Sequence, residues 1–236
     1  MKKLIEIKGV LFDFDETLLD SYIGAKKAWS EVAKLIQEFL CEKGISHELD
    51  HLRTEIEQIA NAMNRKRQYN RDEWWKLLIS RKTRSLPPKE FFTHVTEKYF
   101  ESLIKGSALY PDTLSTLRYL KGQGYRLGLL TDTDHVKAMK WRRIKLSGLG
   151  KWFKAIVVSG EEGIKAKPDP DSFRLLARRL NLRPEDCVFI GDKTYLDIKG
   201  AKAARMTTIL IKRREWDCPV DPDFIVETLQ ELQELL

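Results

Sequence analysis

Short apolar runs separated by polar, turn-rich segments set the rhythm of this 236-residue chain. They fall at residues 7–14 (IKGVLFDF), 126–131 (RLGLLT), 155–158 (AIVV), 187–190 (CVFI) and 207–211 (TTILI). Runs this short, apolar on both faces, predict parallel strands covered by helices on either side. Amphipathic helical pattern separates the later runs, over 112–123, 134–147, 171–180 and 195–204. Strand and helix in alternation predict an α/β fold built on an open, Rossmann-like parallel sheet.

Residues 19–105 break the alternation. No strand pattern stands out there, and apolar residues such as Ala28, Val32, Leu35, Ile36 and Phe39 recur at helical spacing. Asn70, Pro87 and Pro88 punctuate the block. The expected organisation is an α/β core from 1–18 and 106–236 with an all-helical cap domain, 19–105, inserted after the first strand.

Composition adds modest constraints. Apolar residues are 42% of the chain, as in a globular protein, and charged residues 33%. The net charge of +7 favours anionic partners, from small phosphates to nucleic acids. Eight of the cations (Arg65, Lys66, Arg67, Arg71, Lys76, Arg81, Lys82 and Arg84) fall between Met63 and Leu86, against Asp72 and Glu73. Such a run is more often a solvated helix face than a binding surface. Within it, one of Trp74 and Trp75 is expected in the cap core and the other on a substrate cavity. Cys41, Cys187 and Cys218 are dispersed and odd in number, which argues against a disulfide scaffold or zinc ribbon. Lys2 and Lys3 precede an apolar stretch, but Glu6 and Lys8 interrupt it and no cleavage site follows. With no apolar run of membrane-spanning length, a cytoplasmic location without membrane partners is expected. His47 and His51 have the spacing of a metal pair but no evident third ligand, so they read as surface histidines. No sequence feature bears on the oligomeric state.

The chemistry-bearing residues gather at the ends of the predicted strands, where open α/β sheets bind ligands. The first run closes in Asp13-Phe14-Asp15-Glu16-Thr17 and the second in Thr131-Asp132, with His135 close behind. The fourth leads to Gly191-Asp192, with Asp197 five residues on, and Lys165-Ala166-Lys167-Pro168-Asp169-Pro170 precedes a helix. Acids, a hydroxyl and a lysine at one sheet edge are the parts needed to transfer a phosphoryl group to a carboxylate.

The order DFDET, LLTD, KAKPDP, GDKTYLD resembles the haloacid dehalogenase superfamily, in its phosphoglycolate-phosphatase-like branch. The resemblance spans Asp13 to Asp197 and includes the inserted helical cap. It implies a Rossmann-like core and a Mg²⁺-dependent phosphatase acting on a small phosphate monoester through an aspartyl-phosphate. In that scheme Asp13 is nucleophile and metal ligand. Asp15 is acid and base, with its backbone carbonyl on the metal. Asp192 is a direct metal ligand, and Asp197 supports the metal's outer sphere. Thr131 and the backbone of Asp132 bind phosphate, and Lys167, favoured over Lys165 by the K-P-D-P context, neutralises charge. Where the family often has Asn, this chain has Asp132, whose side chain is expected to turn away or bind a lysine; Lys193 is a candidate to offset it. A dehalogenase is disfavoured because members of that type lack the acid matching Asp15. A sugar-phosphate mutase of the same fold stays open. From another class, a module binding nucleic acid through the basic stretch is the alternative, although no known nucleic-acid-binding motif supports it.

Overall fold

The structure, a computed structural model, describes residues 6–214 and 220–236. Lys2, Lys3 and Cys218 lie outside the described residues. In chain order the elements begin with β1 (Gly9–Phe12), β2 (Leu19–Asp20), α1 (Ser21–Glu42), α2 (Leu49–Arg65), α3 (Arg71–Ser80) and α4 (Lys89–Gly106). There follow β3 (Ala108–Leu109), α5 (Thr113–Gly122), β4 (Arg126–Asp132), α6 (Met139–Leu146), β5 (Ala155–Ser159) and α7 (Pro170–Arg179). The chain ends with β6 (Cys187–Gly191), α8 (Lys199–Ala203), β7 (Thr207–Ile211), β8 (Phe224–Val226) and α9 (Leu232–Leu235). Two compact units emerge, one of Met1–Asp20 with Leu109–Leu236 and the other of Ser21–Ala108.

The first unit is an α/β Rossmann-like core. Its six strands run parallel in the order β5-β4-β1-β6-β7-β8. β1 is central, with Gly9 opposite both Arg126 of β4 and Cys187 of β6, and Phe12 opposite Leu129 and Ile190. From β1 the chain builds outward on one side and later on the other, so β1 marks the topological switch where such sheets bind ligands. Alternate residues feed two cores. Val10, Phe12, Leu127, Leu129, Val188 and Ile190 belong to one, and Leu11, Leu130, Cys187 and Phe189 to the other. Phe173, Leu176 and Ala177 of α7 and Ala201 of α8 complete the second core. Burial on both faces explains why these strands read as unbroken apolar runs.

Three boundaries differ from the sequence pattern for local reasons. β1 stops at Phe12 because the chain turns immediately afterwards: Glu16 takes a left-handed φ of 60°, and the N–H groups of Leu18 and Leu19 donate to the Phe14 carbonyl. The helix expected from 134 starts at Met139, since His135 (φ 57°) and Ala138 (φ 59°) are left-handed and cannot continue a right-handed helix. The helix expected over 195–204 opens as a π-helical turn, Thr194–Ile198, before α8. β8, three residues long, carried too short a pattern to be anticipated.

The second unit is the all-helical insertion, α1 to α4. The buried stripe of α1 is Ala28, Trp29, Val32, Ala33, Ile36 and Leu40, with Leu35 and Phe39 on its flanks. Gly24 and Gly106 let α1 and α4 approach closely, since a Cβ on Gly106 would sit 2.8 Å from the Gly24 Cα. Asn70 caps α3 by accepting from the Asp72 N–H at 3.1 Å, an interaction worth about 1 kcal/mol. Trp74 and Trp75 are both fully buried, which corrects the expectation that one lines a cavity. Their indole N–H groups donate to the Gln68 carbonyl (2.7 Å) and to Thr96 Oγ1 (2.9 Å). Part of the basic stretch is engaged internally: Arg71 stacks 3.7 Å over the Trp74 ring, and Lys82 pairs with Glu55. Cys41 and Cys187 are free thiols, and no described helix is long and apolar enough to cross a membrane.

Candidate active site

Parallel register delivers the sequence motifs to one edge of the core sheet. Asp13 follows the last residue of β1, and its N–H donates to Ile190 O at 2.9 Å, tying it to β6. Thr131 and Asp132 end β4 beside it, and Asp192 follows the last residue of β6. Asp13, Thr131, Lys167, Asp192 and Asp197 are all buried.

Lys167 joins two of the motifs. Its ammonium donates to Asp13 Oδ1 (2.6 Å) and to Asp197 Oδ1 (2.7 Å). Burial opposes the lysine's charge, but Asp13, then Asp197 and Asp132, outweigh it and hold the ammonium well above its ordinary pKa. Asp132 fastens the same loop. Its Oδ1 accepts from the Lys167 backbone N–H (3.0 Å) and from the Ser159 hydroxyl. The side chain therefore turns to the lysine's backbone. The Lys193 ammonium lies 3.9 Å from Asp192 Oδ1.

Asp197 arrives through the π-helical turn, where its Oδ2 accepts the Lys193 N–H at 3.0 Å. Gly191 makes room, because a Cβ there would lie 2.5 Å from the Asp197 carboxylate. Gly191→Ala is expected to cost about 1–3 kcal/mol by overpacking, as urea unfolding would measure.

Carboxylate oxygens of Asp13, Asp192 and Asp197 lie within 4.8 Å of one another. Burial raises the pKa of Asp13, with Lys167 pulling it back, and pushes Asp192 up to about 8 against the opposing pull of Lys193. Three enclosed hard-oxygen donors whose ionised forms crowd one another suit a small divalent cation such as Mg²⁺, which favours one or two carboxylates and retained waters. The residues present fit that ion.

Asp15 joins a different set. Its Oδ2 accepts from Lys140 at 2.6 Å, and Arg143 donates to both of its oxygens. Asp134, on the other side of the same cations, accepts from Arg143 (2.9 Å) and lies 2.9 Å from the Lys140 ammonium. Burial opposes ionisation of Asp15, but Arg143 and then Lys140 hold its carboxyl well below the usual carboxylate range. Sequence reasoning missed Lys140 and Arg143. The spacing of three residues on a short helix was the available signal, and charged pairs at that spacing usually face water. The His135 N–H donates to Thr133 Oγ1 at 3.1 Å, and Lys165 is exposed and pairs with Asp169 and Asp171.

A family profile described as haloacid dehalogenase-like hydrolase matches residues 7–205. The chain belongs to that family. It is an enzyme of the hydrolase class, and the relatives named below match 98% of its length. Glyceraldehyde 3-phosphate phosphatase of Methanopyrus kandleri is 30% identical over 98% of this chain and 97% of its own. Phosphoglycolate phosphatase of Escherichia coli is 28% identical over 98% and 93%. A solved structure of a HAD phosphatase from Thermococcus onnurineus superposes with a TM-score of 0.67, at 27% identity over 97% of both chains.

Proposed function

We propose that this haloacid dehalogenase-like hydrolase is a Mg²⁺-dependent phosphatase of small phosphate monoesters, with Asp13 as nucleophile. The observation that carries the reading is the Asp13 carboxylate, enclosed at the end of the central strand and bonded at 2.6 Å to a buried lysine. A phosphate ester is anionic and repels a carboxylate, so cationic groups must surround both partners before attack is possible. Lys167 supplies one such charge on the Asp13 oxygen and, through Asp197, is fixed in place without substrate. Asp13, Asp192 and Asp197 would hold Mg²⁺, which supplies further charge neutralisation for nucleophile and phosphoryl oxygens.

An oxygen of Asp13 bonds to phosphorus while the ester P–O bond breaks, and the departing alkoxide takes a proton from Asp15, which must first be protonated against the pull of Arg143 and Lys140 on its carboxylate. In the second step Asp15, now an anion, accepts a proton from water. The resulting hydroxide attacks phosphorus, releasing inorganic phosphate and freeing Asp13. The buried Thr131 hydroxyl and the backbone N–H of Asp132, at the adjacent strand end, are suited to the phosphoryl oxygens. Arg143 and Lys140 stabilise the anionic Asp15 that the water step requires.

The named relatives place glyceraldehyde 3-phosphate and phosphoglycolate among the first esters to test. Phosphate release from a panel of two- to six-carbon phosphate esters is expected with Mg²⁺ and should fall to background with EDTA. Undiminished release after exhaustive chelation would overturn the metal assignment. A folded protein that hydrolyses none of the esters would overturn the reading.

A further inference from the structure

Lys140 and Arg143 are at most 5% exposed, an unusual place for two cations on an eight-residue helix. Buried charges persist when each finds partners, and here the partners interlock. Lys140 contacts Asp15 and Asp134, and so does Arg143, whose Nη1 also donates a second bond to Asp134 at 3.2 Å. The four charges cancel. Both cations lie near the Phe14 ring, with Lys140 Nζ at 5.9 Å and the Arg143 guanidinium carbon at 5.7 Å from its centroid. The apolar floor and Asp134 fix the cations from two sides. Asp15 is the member that reaches outward, its side chain 20% exposed against 4–8% for the other three.

A carboxylate on a turn next to the nucleophile would sample several rotamers if left in water. Here each oxygen has a donor, so both the rotamer and the plane of the carboxyl group are set. We propose that Lys140 and Arg143, anchored by Asp134, are positioning residues that aim Asp15 at the oxygens between which it moves protons. The proposal rests on the phosphatase reading above and deepens it: these cations contact Asp15 and Asp134, and they act through Asp15.

The test uses leaving groups of different basicity. p-Nitrophenolate departs without a proton, whereas an alkoxide needs one. A mispositioned Asp15 should therefore hurt alkyl esters most, and general acid catalysis is worth about 10²–10⁴-fold. In Lys140→Met and Arg143→Met, kcat/KM is expected to fall by about 10²-fold for glycerol phosphate and less than about tenfold for p-nitrophenyl phosphate. Arg143→Lys, which keeps the charge and loses the fork, should fall between. In an Asp15→Asn background the same substitutions should cost almost nothing more, because residues acting through one group are not additive. Equal losses for both esters, a loss confined to KM, or full additivity with Asp15→Asn would overturn the proposal. Crystal structures of the variants read the positioning without turnover: Asp15 leaving its rotamer supports it, and an unmoved Asp15 overturns it. A wild-type protein inactive on every ester would instead count against the phosphatase reading, with those crystal structures still deciding the positioning.

Discussion

Asp13→Asn is expected to lower the rate of phosphate release by at least about 10³-fold, the scale on which removing a covalent nucleophile acts. The amide is nearly isosteric with the carboxylate, so the close packing at the end of β1 survives. Its nitrogen and weakly basic oxygen cannot form a stable bond to phosphorus. Folding should not suffer. Burial already raises the pKa of Asp13, which means that the enclosure opposes its ionised form, and the neutral amide avoids that cost. Lys167 keeps Asp197 as a partner at 2.7 Å, so its ammonium is not stranded. The substitution therefore separates chemistry from stability. Unfolding in urea should be unchanged or slightly harder, while initial rates collapse. Intact-protein mass spectrometry of wild type quenched in acid should show one added phosphoryl group, absent from the variant. A variant retaining a tenth of wild-type activity would remove Asp13 from the mechanism.

The core sheet and the motif positions were legible in the sequence because two simple physical rules govern them. Strands buried on both faces must be continuously apolar, and ligand chemistry in such sheets gathers at the carboxyl ends. Those rules located Asp13, Thr131 and Asp192. The contacts were less legible. Asp132 looked like a surplus negative charge, and its use as an acceptor for the Lys167 N–H depends on a loop that returns 35 residues later. Lys140 and Arg143 looked like solvated helix charges because helical spacing says which residues share a face but not what that face meets. Their burial follows from two left-handed residues, His135 and Ala138, which delay the helix and so change which side chains meet Asp15. Nothing in the composition of that segment announces a positive φ at Ala138. Trp74 and Trp75 are a similar case. Adjacent residues on a helix point about 100° apart, so burying both requires neighbours on two sides, which only the packing of four helices reveals.

Lys167→Met tests the electrostatic premise most directly, and its effect should depend on pH. The substitution keeps the volume of the side chain and deletes the charge shared by Asp13 and Asp197. Breaking a buried pair from one side typically costs about 3–5 kcal/mol, because the remaining charge stays enclosed. The remaining acids have an escape that a lysine lacks, which is to take up protons. Asp192 already has a folded pKa pushed up to about 8 by burial, opposed by Lys193 and reinforced by Asp197 and Asp13, against 3.8 as its ordinary value. A carboxylic acid whose pKa is higher in the folded state binds its proton more tightly there. Its contribution is intact below the unfolded pKa and declines as pH rises toward the folded one. Metal-free wild type should therefore lose stability between about pH 4 and pH 8. In Lys167→Met the raised values climb further, so the stability lost in this window must be larger, near pH 5 small and near pH 8 close to the full cost. Urea unfolding in EDTA at the two pH values measures the difference. Mg²⁺ at pH 8 should restore much of it in both proteins, since a ligand that binds the folded state alone stabilises it. Turnover should not be rescued the same way, because in the proposed mechanism the ammonium on the Asp13 oxygen is also the charge that meets the incoming phosphate, and a loss of at least about 10²-fold is expected at every pH. If Lys167→Met were equally stable at pH 5 and pH 8 without metal, the three carboxylates would not be sharing one enclosed field, and the cation site they are argued to form would lose its physical basis.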